Sequence, residues 1–238
     1  MRESGYDISF RFGPFGGSTH HYAPVDLNML IYKEEKDLQQ IAAILGKNDD
    51  ARHWSRRAEA RREAINRYMW DETKGMYFDY DFMRQRRSGY VFVTTFCPLW
   101  AGIPSPQQAR RMMQNLNVFE ESGGLVESRN DVKVQWEWPW GWAPSQLISI
   151  EGMRRYGFEV EANRVAAKFL DTVLRNFRKE KTIREKYNVV TGSSQAEIQA
   201  GYRQNVVGFG WTNGTFLSLL KDLPEEWRAK LGTTIAMH

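Results

Sequence analysis

Helical periodicity is the strongest constraint on this chain. Over residues 25–45 the apolar residues Leu27, Leu30, Ile31, Leu38, Ile41, Ala42 and Leu45 fall on one stripe of a 3.6-residue helix. Asp26 is placed to cap that helix and Gly46 to end it. A second helical pattern over 50–70 turns Trp54, Ala58, Ile65 and Met69 inward and its charges outward. Residues 91–101 are apolar nearly all round, the mark of a buried helix. Ser105-Pro106 opens the next helix, which runs to about Leu116. Patterns over 143–156 and 159–179 form a further pair joined at Gly157, and 211–220 reads as a last helix with Asn213 and Gly214 in its first turns. Residues 71–75 read as a turn and 76–82 as a short extended segment. The expectation is an all-α fold of about seven helices paired as hairpins, which suits a toroid or an α-solenoid.

Three connections are too long for simple turns: 1–24, 118–142 and 180–210. Loops longer than about 12–15 residues in a compact domain are uncommon and usually functional. The second of them ends in Gln135-Trp136-Glu137-Trp138-Pro139-Trp140-Gly141-Trp142, with four tryptophans alternating. Pro139 and Gly141 argue against a helix there. Indole rings beside amides and carboxylates match what a sugar needs, stacking for C–H faces and hydrogen bonds for hydroxyls. The alternative is a tryptophan-rich core knot between helices. A binding pocket also needs convergent polar groups, and Gln135 and Glu137 offer them.

The third connection holds Arg184-Glu185-Lys186-Tyr187-Asn188 and Gly208-Phe209-Gly210-Trp211-Thr212-Asn213-Gly214. Glu185 between two cations reads either as a functional carboxylate or as a surface ion-pair cluster. Asn213 breaks the G-x-G-x-x-G pattern, so a dinucleotide site is not expected. In the first connection Asp7 follows Gly5 and Tyr6 and precedes Phe10. It reads as a carboxyl buried among aromatics or as a loop or cap aspartate.

Composition closes several other routes. With 13 Phe, 10 Tyr and 9 Trp, the chain is not disordered throughout. No apolar run approaches the roughly 18–20 residues of a membrane span, so no membrane partner is expected. The four histidines, His20, His21, His53 and His238, make no H-E-x-x-H and pair with no cysteine, so neither metal nor other cofactor is expected. No G-x-S-x-G elbow supports a serine nucleophile. Cys97, the single cysteine, sits in an apolar stretch and reads as a buried, inert thiol. The 33 basic and 29 acidic residues leave a charge of +4. Arginines cluster at Arg56/Arg57, Arg61/Arg62, Arg84/Arg86/Arg87 and Arg110/Arg111, interleaved with Glu59, Glu63, Asp79 and Asp81. They read as solvated helix faces, and no nucleic-acid partner is expected. Residues 1–7 hold no apolar core of a signal peptide, and the compartment, cytoplasmic or periplasmic, stays open.

Taken together, the three loops resemble the trehalases, the glycoside hydrolases that split α,α-trehalose. Residues 135–146 resemble the family signature Q-W-D-x-P-N-G-W-A-P-x-Q, and Glu185-Lys186-Tyr187 its E-K-Y. Residues 208–214 match its G-F-G-W-T-N-G, residues 3–12 resemble its E-S-G-W-D-F-S-S-R-[WF], and residues 24–28 match its P-V-D-L-N. The motifs stand in family order over nearly the whole chain. The resemblance implies helical hairpins forming about half of an (α/α)6 toroid. It also implies inverting hydrolysis of a disaccharide, with Asp7 as general acid and Glu185 as general base. Gly5, Gln135, Trp136, Glu137, Trp142, Phe209 and Trp211 would line the sugar pocket.

The sequence departs from the family at three points. Glu137 and Trp140 stand where the signature has Asp and Asn. A glycine-rich loop ending in a sugar-binding Glu is replaced by residues 193–207, with Tyr202 about where that Glu would be and Glu197 nearby as a substitute. The family chain is about twice as long, and its upstream half carries arginines that grip the sugars. The chain is therefore expected to be the C-terminal portion of a trehalase-like domain, to need an upstream half as partner, and to be inactive alone. Two other readings stay open: a glycosidase for another α-glucoside, and a non-catalytic carbohydrate-binding or interaction module.

Overall fold

The computed structural model describes residues 5–201 and 204–233. Glu3 and Ser4 of the first motif, Tyr202 and His238 lie outside the described residues. The first helical hairpin joins α1 (Val25–Ile44) to α2 (Asn48–Tyr68), which pack against each other. The chain reverses between them at Gly46, whose φ of 70° is left-handed, as glycine allows. A 3-10 turn (Val93–Phe96) leads into α3 (Cys97–Ala101), and α4 (Pro106–Met113) follows. Next come α5 (Ala143–Arg155) and α6 (Glu159–Glu180), then α7 (Gly210–Asp222) and a single-turn α8 (Glu225–Arg228).

The all-α expectation holds, with short strand pairs only at the loops. Tyr22–Ala23, Tyr80–Asp81 and Arg86–Arg87 form one antiparallel sheet. Trp70–Asp71 pairs with Met76–Tyr77, Glu120–Glu121 with Gly124–Leu125, and Trp140–Trp142 with Lys186–Asn188. The stretch over 91–101 is not one helix. Pro98 has no N–H to continue a helix from the preceding turn, and the α-helical part starts only at Cys97. At α4 the reading holds closely: Ser105 and Gln108 close a reciprocal capping box and Pro106 occupies the first turn.

α5 is the axle of the fold, packing against α3, α6 and α7. Phe96, Leu99, Ile103, Ile150, Met153, Val165, Phe169 and Leu170 are all but fully buried there. Gly152 lets α5 close on α3; a Cβ at that position would stand 2.8 Å from the Trp100 backbone nitrogen. Cys97 is buried, and burial pushes its thiol well above the usual range, so the inert reading holds.

α1 corrects two expectations. Its buried face is Val25, Met29, Tyr32, Glu35 and Ala42, while Leu30 stays 50% exposed and Leu27, Ile41 and Leu45 are also exposed. The hairpin interface is partly ionic: buried Glu35 takes Arg61 at 2.9 Å and Arg57 at 3.4 Å. Of the apolar stripe, four residues therefore face outward, while Ile31 and Leu38 are half-buried and Ala42 is buried. Asp26 caps nothing; the N-cap residue is Pro24, and Asp26 is spent on a buried ion pair with Arg11. Most of the clustered arginines pair with acids, as Arg62 with Glu59, Arg84 with Asp81 and Arg111 with Glu72. No helix among the described residues is long and apolar enough to cross a membrane.

Candidate active site

The site is organised by the antiparallel pairing of Trp140–Trp142 with Lys186–Asn188, in which Trp142 faces Lys186 and Trp140 faces Asn188. Alternate residues of a strand share a face, so these four side chains lie on one side of the ribbon. Gly141 and Tyr187 lie on the other, where Tyr187 meets Phe169 edge-on in the core. The core presses close at Gly141: a Cβ there would stand 2.5 Å from Val189 and 2.6 Å from the Leu125 carbonyl.

Glu185 immediately precedes this strand. It is 1% exposed, and Lys186 Nζ donates to its Oε2 at 2.7 Å. Burial holds the Lys186 ammonium below the usual lysine range, opposed by the charges of Glu185 and Asp7. The same Nζ stands 4.7 Å over the Trp142 ring. The surface-cluster alternative for Glu185 is therefore wrong. Arg184 turns away to Glu180, at 2.9 Å, and to the Asn205 carbonyl.

Asp7 sits half-buried on the first loop. Its Oδ1 accepts hydrogen bonds from Gln135 Nε2 at 3.2 Å and Trp136 Nε1 at 3.1 Å. Gln135 also donates to the Asp7 backbone carbonyl. Trp136 lies flat on Trp142, with centroids 3.8 Å apart and planes within 9°. Trp142 in turn meets Trp211 edge-on at 5.7 Å, and Trp211 stacks on Phe209. Asp7, Gln135, Trp136, Trp142, Phe209 and Trp211 are thus linked by direct contacts, and Lys186 joins Glu185 to them. Gly5, at φ 79°, is exposed at the start of the Asp7 loop.

Glu137 has a different place. Its side chain is fully buried and accepts the Phe10 N–H at 2.7 Å, the Tyr90 hydroxyl at 2.9 Å and the Ser128 hydroxyl. Burial raises its carboxyl above the usual range. Glu137 ties the Asp7 loop down from behind. Sequence reasoning missed the group that does the same from the other side, Arg11. Its Nε reaches Asp79 at 2.7 Å and its Nη2 reaches Asp26 at 2.5 Å, with Tyr6, Phe12 and Phe92 around the guanidinium. It also missed Glu127, fully buried, which accepts the Trp142 N–H at 3.1 Å and the Ser145 hydroxyl at 2.9 Å. Burial pushes its carboxyl up to about 8. Arg11 stands at the arginine of the first motif, but its partners Asp26 and Asp79 are remote in the chain, and nothing in local sequence marks Glu127.

Comparison with known proteins gives the family of the chain. The family model described as Trehalase matches residues 1–224. The chain belongs to the trehalase family. A cytosolic neutral trehalase of Kluyveromyces lactis is 36% identical over 99% of this chain and 34% of its own length. Neutral trehalase Nth1 from Saccharomyces cerevisiae superposes with a TM-score of 0.84 at 32% identity, covering 98% of this chain and 43% of the other. A GH63 mannosylglycerate hydrolase from Thermus thermophilus, solved with glucose, shares the fold at a TM-score of 0.63, 24% identity, and covers 92% of this chain and 51% of its own. This trehalase-family chain spans about a third of the length of the curated relatives it matches. Its hairpins form part of the (α/α)6 toroid of these relatives.

Proposed function

We propose that this trehalase-family chain carries the acid and the base of an inverting hydrolase for α,α-trehalose. One observation carries the reading: the Asp7 and Glu185 carboxylates are tied to opposite members of one stacked pair. Asp7 accepts from Trp136, and Glu185 holds the Lys186 ammonium that sits over Trp142.

Asp7 would deliver a proton to the glycosidic oxygen as the C–O bond breaks. Its Oδ2 takes no protein hydrogen bond among the described residues, which leaves it for the substrate. Glu185 would take a proton from a water that attacks the anomeric carbon from the opposite face. Inversion needs carboxyls roughly 6.5–9.5 Å apart, with room for that water. Lys186 fixes the Glu185 rotamer and compensates its charge away from bulk solvent. Gly5, Gln135, Trp136, Trp142, Phe209 and Trp211 would border the sugar. Glu137 acts behind them, as a positioning residue for the Asp7 loop.

An upstream half supplying further sugar contacts would complete the site, and the 238-residue chain alone would be inactive. The acid–base assignment is tested in the chain extended at its N-terminus by the upstream half of a trehalase. Asp7→Asn and Glu185→Gln should each lower trehalose kcat by about 10²–10⁴-fold. Wild-type turnover in either variant overturns it.

A further inference from the structure

A cavity of about 520 Å³ lies beside the tryptophan cluster, lined among others by Trp138, Trp140, Asn188, Thr191, Glu197 and Gln199. None of Asp7, Gln135, Trp136, Trp142, Glu185 and Lys186 lines it. Its volume falls within the roughly 300–1,000 Å³ of small-molecule sites.

One wall is aromatic. Trp140 is buried in the cluster with Trp136, Trp142 and Ile198, and Trp138 is half-buried with the Arg129 guanidinium 4.9 Å from its ring. The facing wall is polar and built like a strand edge. Along 194–199 the burial alternates: Ser194 and Ile198 point into the protein, and Gln195, Glu197 and Gln199 are exposed. The wall is pinned at both ends. Asn188 N–H donates to the Ser193 carbonyl at 2.9 Å, and Gln199 N–H donates to the Lys133 carbonyl at 3.0 Å. The side chains of Gln195, Glu197 and Gln199 make no hydrogen bond among the described residues, and Glu197 has no ion pair there. Lys133, a cation on the rim, is paired with Asp131 at 2.7 Å.

This lining selects a ligand class. An anion would meet Glu197 with no unpaired cation opposite in the lining. A purely apolar ligand would strand the row of amides and the carboxylate. A neutral ring with C–H faces for Trp138 and equatorial hydroxyls for Gln195, Glu197 and Gln199 satisfies both walls. We propose that this cavity is a second pyranose-binding pocket, separate from the Asp7–Glu185 site and adjoining it across Trp140. In register, Trp140 and Asn188 lie two residues along the ribbon from Trp142 and Lys186, about 6.6 Å away. A further sugar unit of a longer α-glucoside would fit that spacing. The pocket does not depend on Asp7 and Glu185 acting as acid and base.

The test is titration of the 238-residue chain with methyl α-D-glucopyranoside and with maltotriose, followed by saturation-transfer NMR and tryptophan fluorescence. Glu197→Gln and Gln199→Ala change exposed side chains and should leave the circular dichroism unchanged; Trp138→Ala removes the stacking face. The proposal expects Trp138→Ala and Glu197→Gln each to weaken sugar binding by roughly tenfold. No binding of either sugar overturns it. So does binding that both Trp138→Ala and Glu197→Gln leave at wild-type strength. Trehalose turnover in the N-terminally extended chain is a separate readout, so failure here and failure of the acid–base reading are told apart.

Discussion

Trp136 lies flat on Trp142 at 3.8 Å, and this one contact joins the aspartate end of the site to the glutamate end. Trp136 holds Asp7 through its indole N–H, while Trp142 carries the Lys186 ammonium on its face. Trp142 is also anchored behind the site, where its own indole N–H donates to the Gln135 carbonyl at 2.8 Å. Removing this buried ring should cost about 3–5 kcal/mol and disturb both carboxylates together. Trp142→Ala in the N-terminally extended chain should therefore show a lowered urea midpoint and trehalose turnover as low as in Glu185→Gln. A stable Trp142→Ala protein with full turnover would contradict the coupling.

The buried Glu127 carboxyl sets a pH dependence. Its ordinary value is 4.5 and in the fold it is pushed up to about 8 by burial, against the hydrogen bonds from Ser145 and Trp142. Between those values the unfolded chain has lost the proton and the folded chain keeps it. Stability from this group is thus complete below about 4.5 and is lost as pH rises through about 8. Glu127→Gln keeps the shape and cannot ionise. It should flatten the fall in urea midpoint across that window and be the more stable protein at its alkaline end, by an order of several kcal/mol. Parallel pH profiles of the two proteins would contradict this.

Arg11 is fully buried between Asp26 and Asp79. Breaking such a group by removing one partner strands uncompensated charge and costs about 3–5 kcal/mol. Arg11→Met should lower the thermal midpoint sharply and loosen residues 5–12, read as faster amide hydrogen exchange at Phe10 and Phe12. Arg11→Lys should recover only part of the loss, since an ammonium lacks the two-pronged geometry that meets Asp79. Full recovery by Lys would contradict the geometric argument.

Glu137→Ala should leave the Phe10 N–H and the Tyr90 and Ser128 hydroxyls without their acceptor. A cost of about 2–4 kcal/mol is expected for groups stranded in a buried place. Glu137→Gln should be milder, since an amide oxygen still accepts two of the three. Equal urea midpoints for Glu137→Ala and Glu137→Gln would refute this ordering.

The outward stripe of α1, with Leu27, Leu30, Ile41 and Leu45, leaves apolar surface in water. Leu30→Lys with Ile41→Lys should reduce self-association of the 238-residue chain in sedimentation velocity, while shifting stability by less than about 0.5 kcal/mol. Loss of fold in the double variant would mean that these side chains are core.

The helices were legible because their order is local. Gly46 and Gly157 mark the hairpin turns, both with positive φ, and Ser105-Pro106 opens α4 with a capping box. The α1 face was not legible, because an acid, Glu35, occupies the interface that apolar periodicity looks for. The site divides the same way. Asp7, Gln135, Trp136, Trp142 and Glu185 stood out through contiguous motif residues. Glu137 stood out as well, but as a pocket wall; that it holds the Asp7 loop did not show, because it reaches Phe10 across 127 positions and Tyr90 across 47. Contacts of that span come from the packed fold and leave no trace in local spacing.

The acid–base account is tested most directly by the anomeric form of the sugar released from trehalose. The N-terminally extended chain, followed by proton NMR faster than mutarotation, should release α- and β-glucose in equal initial amounts, since only the attacked ring inverts. Release of α-glucose alone would mean retention, and Glu185 could not then be acting through water.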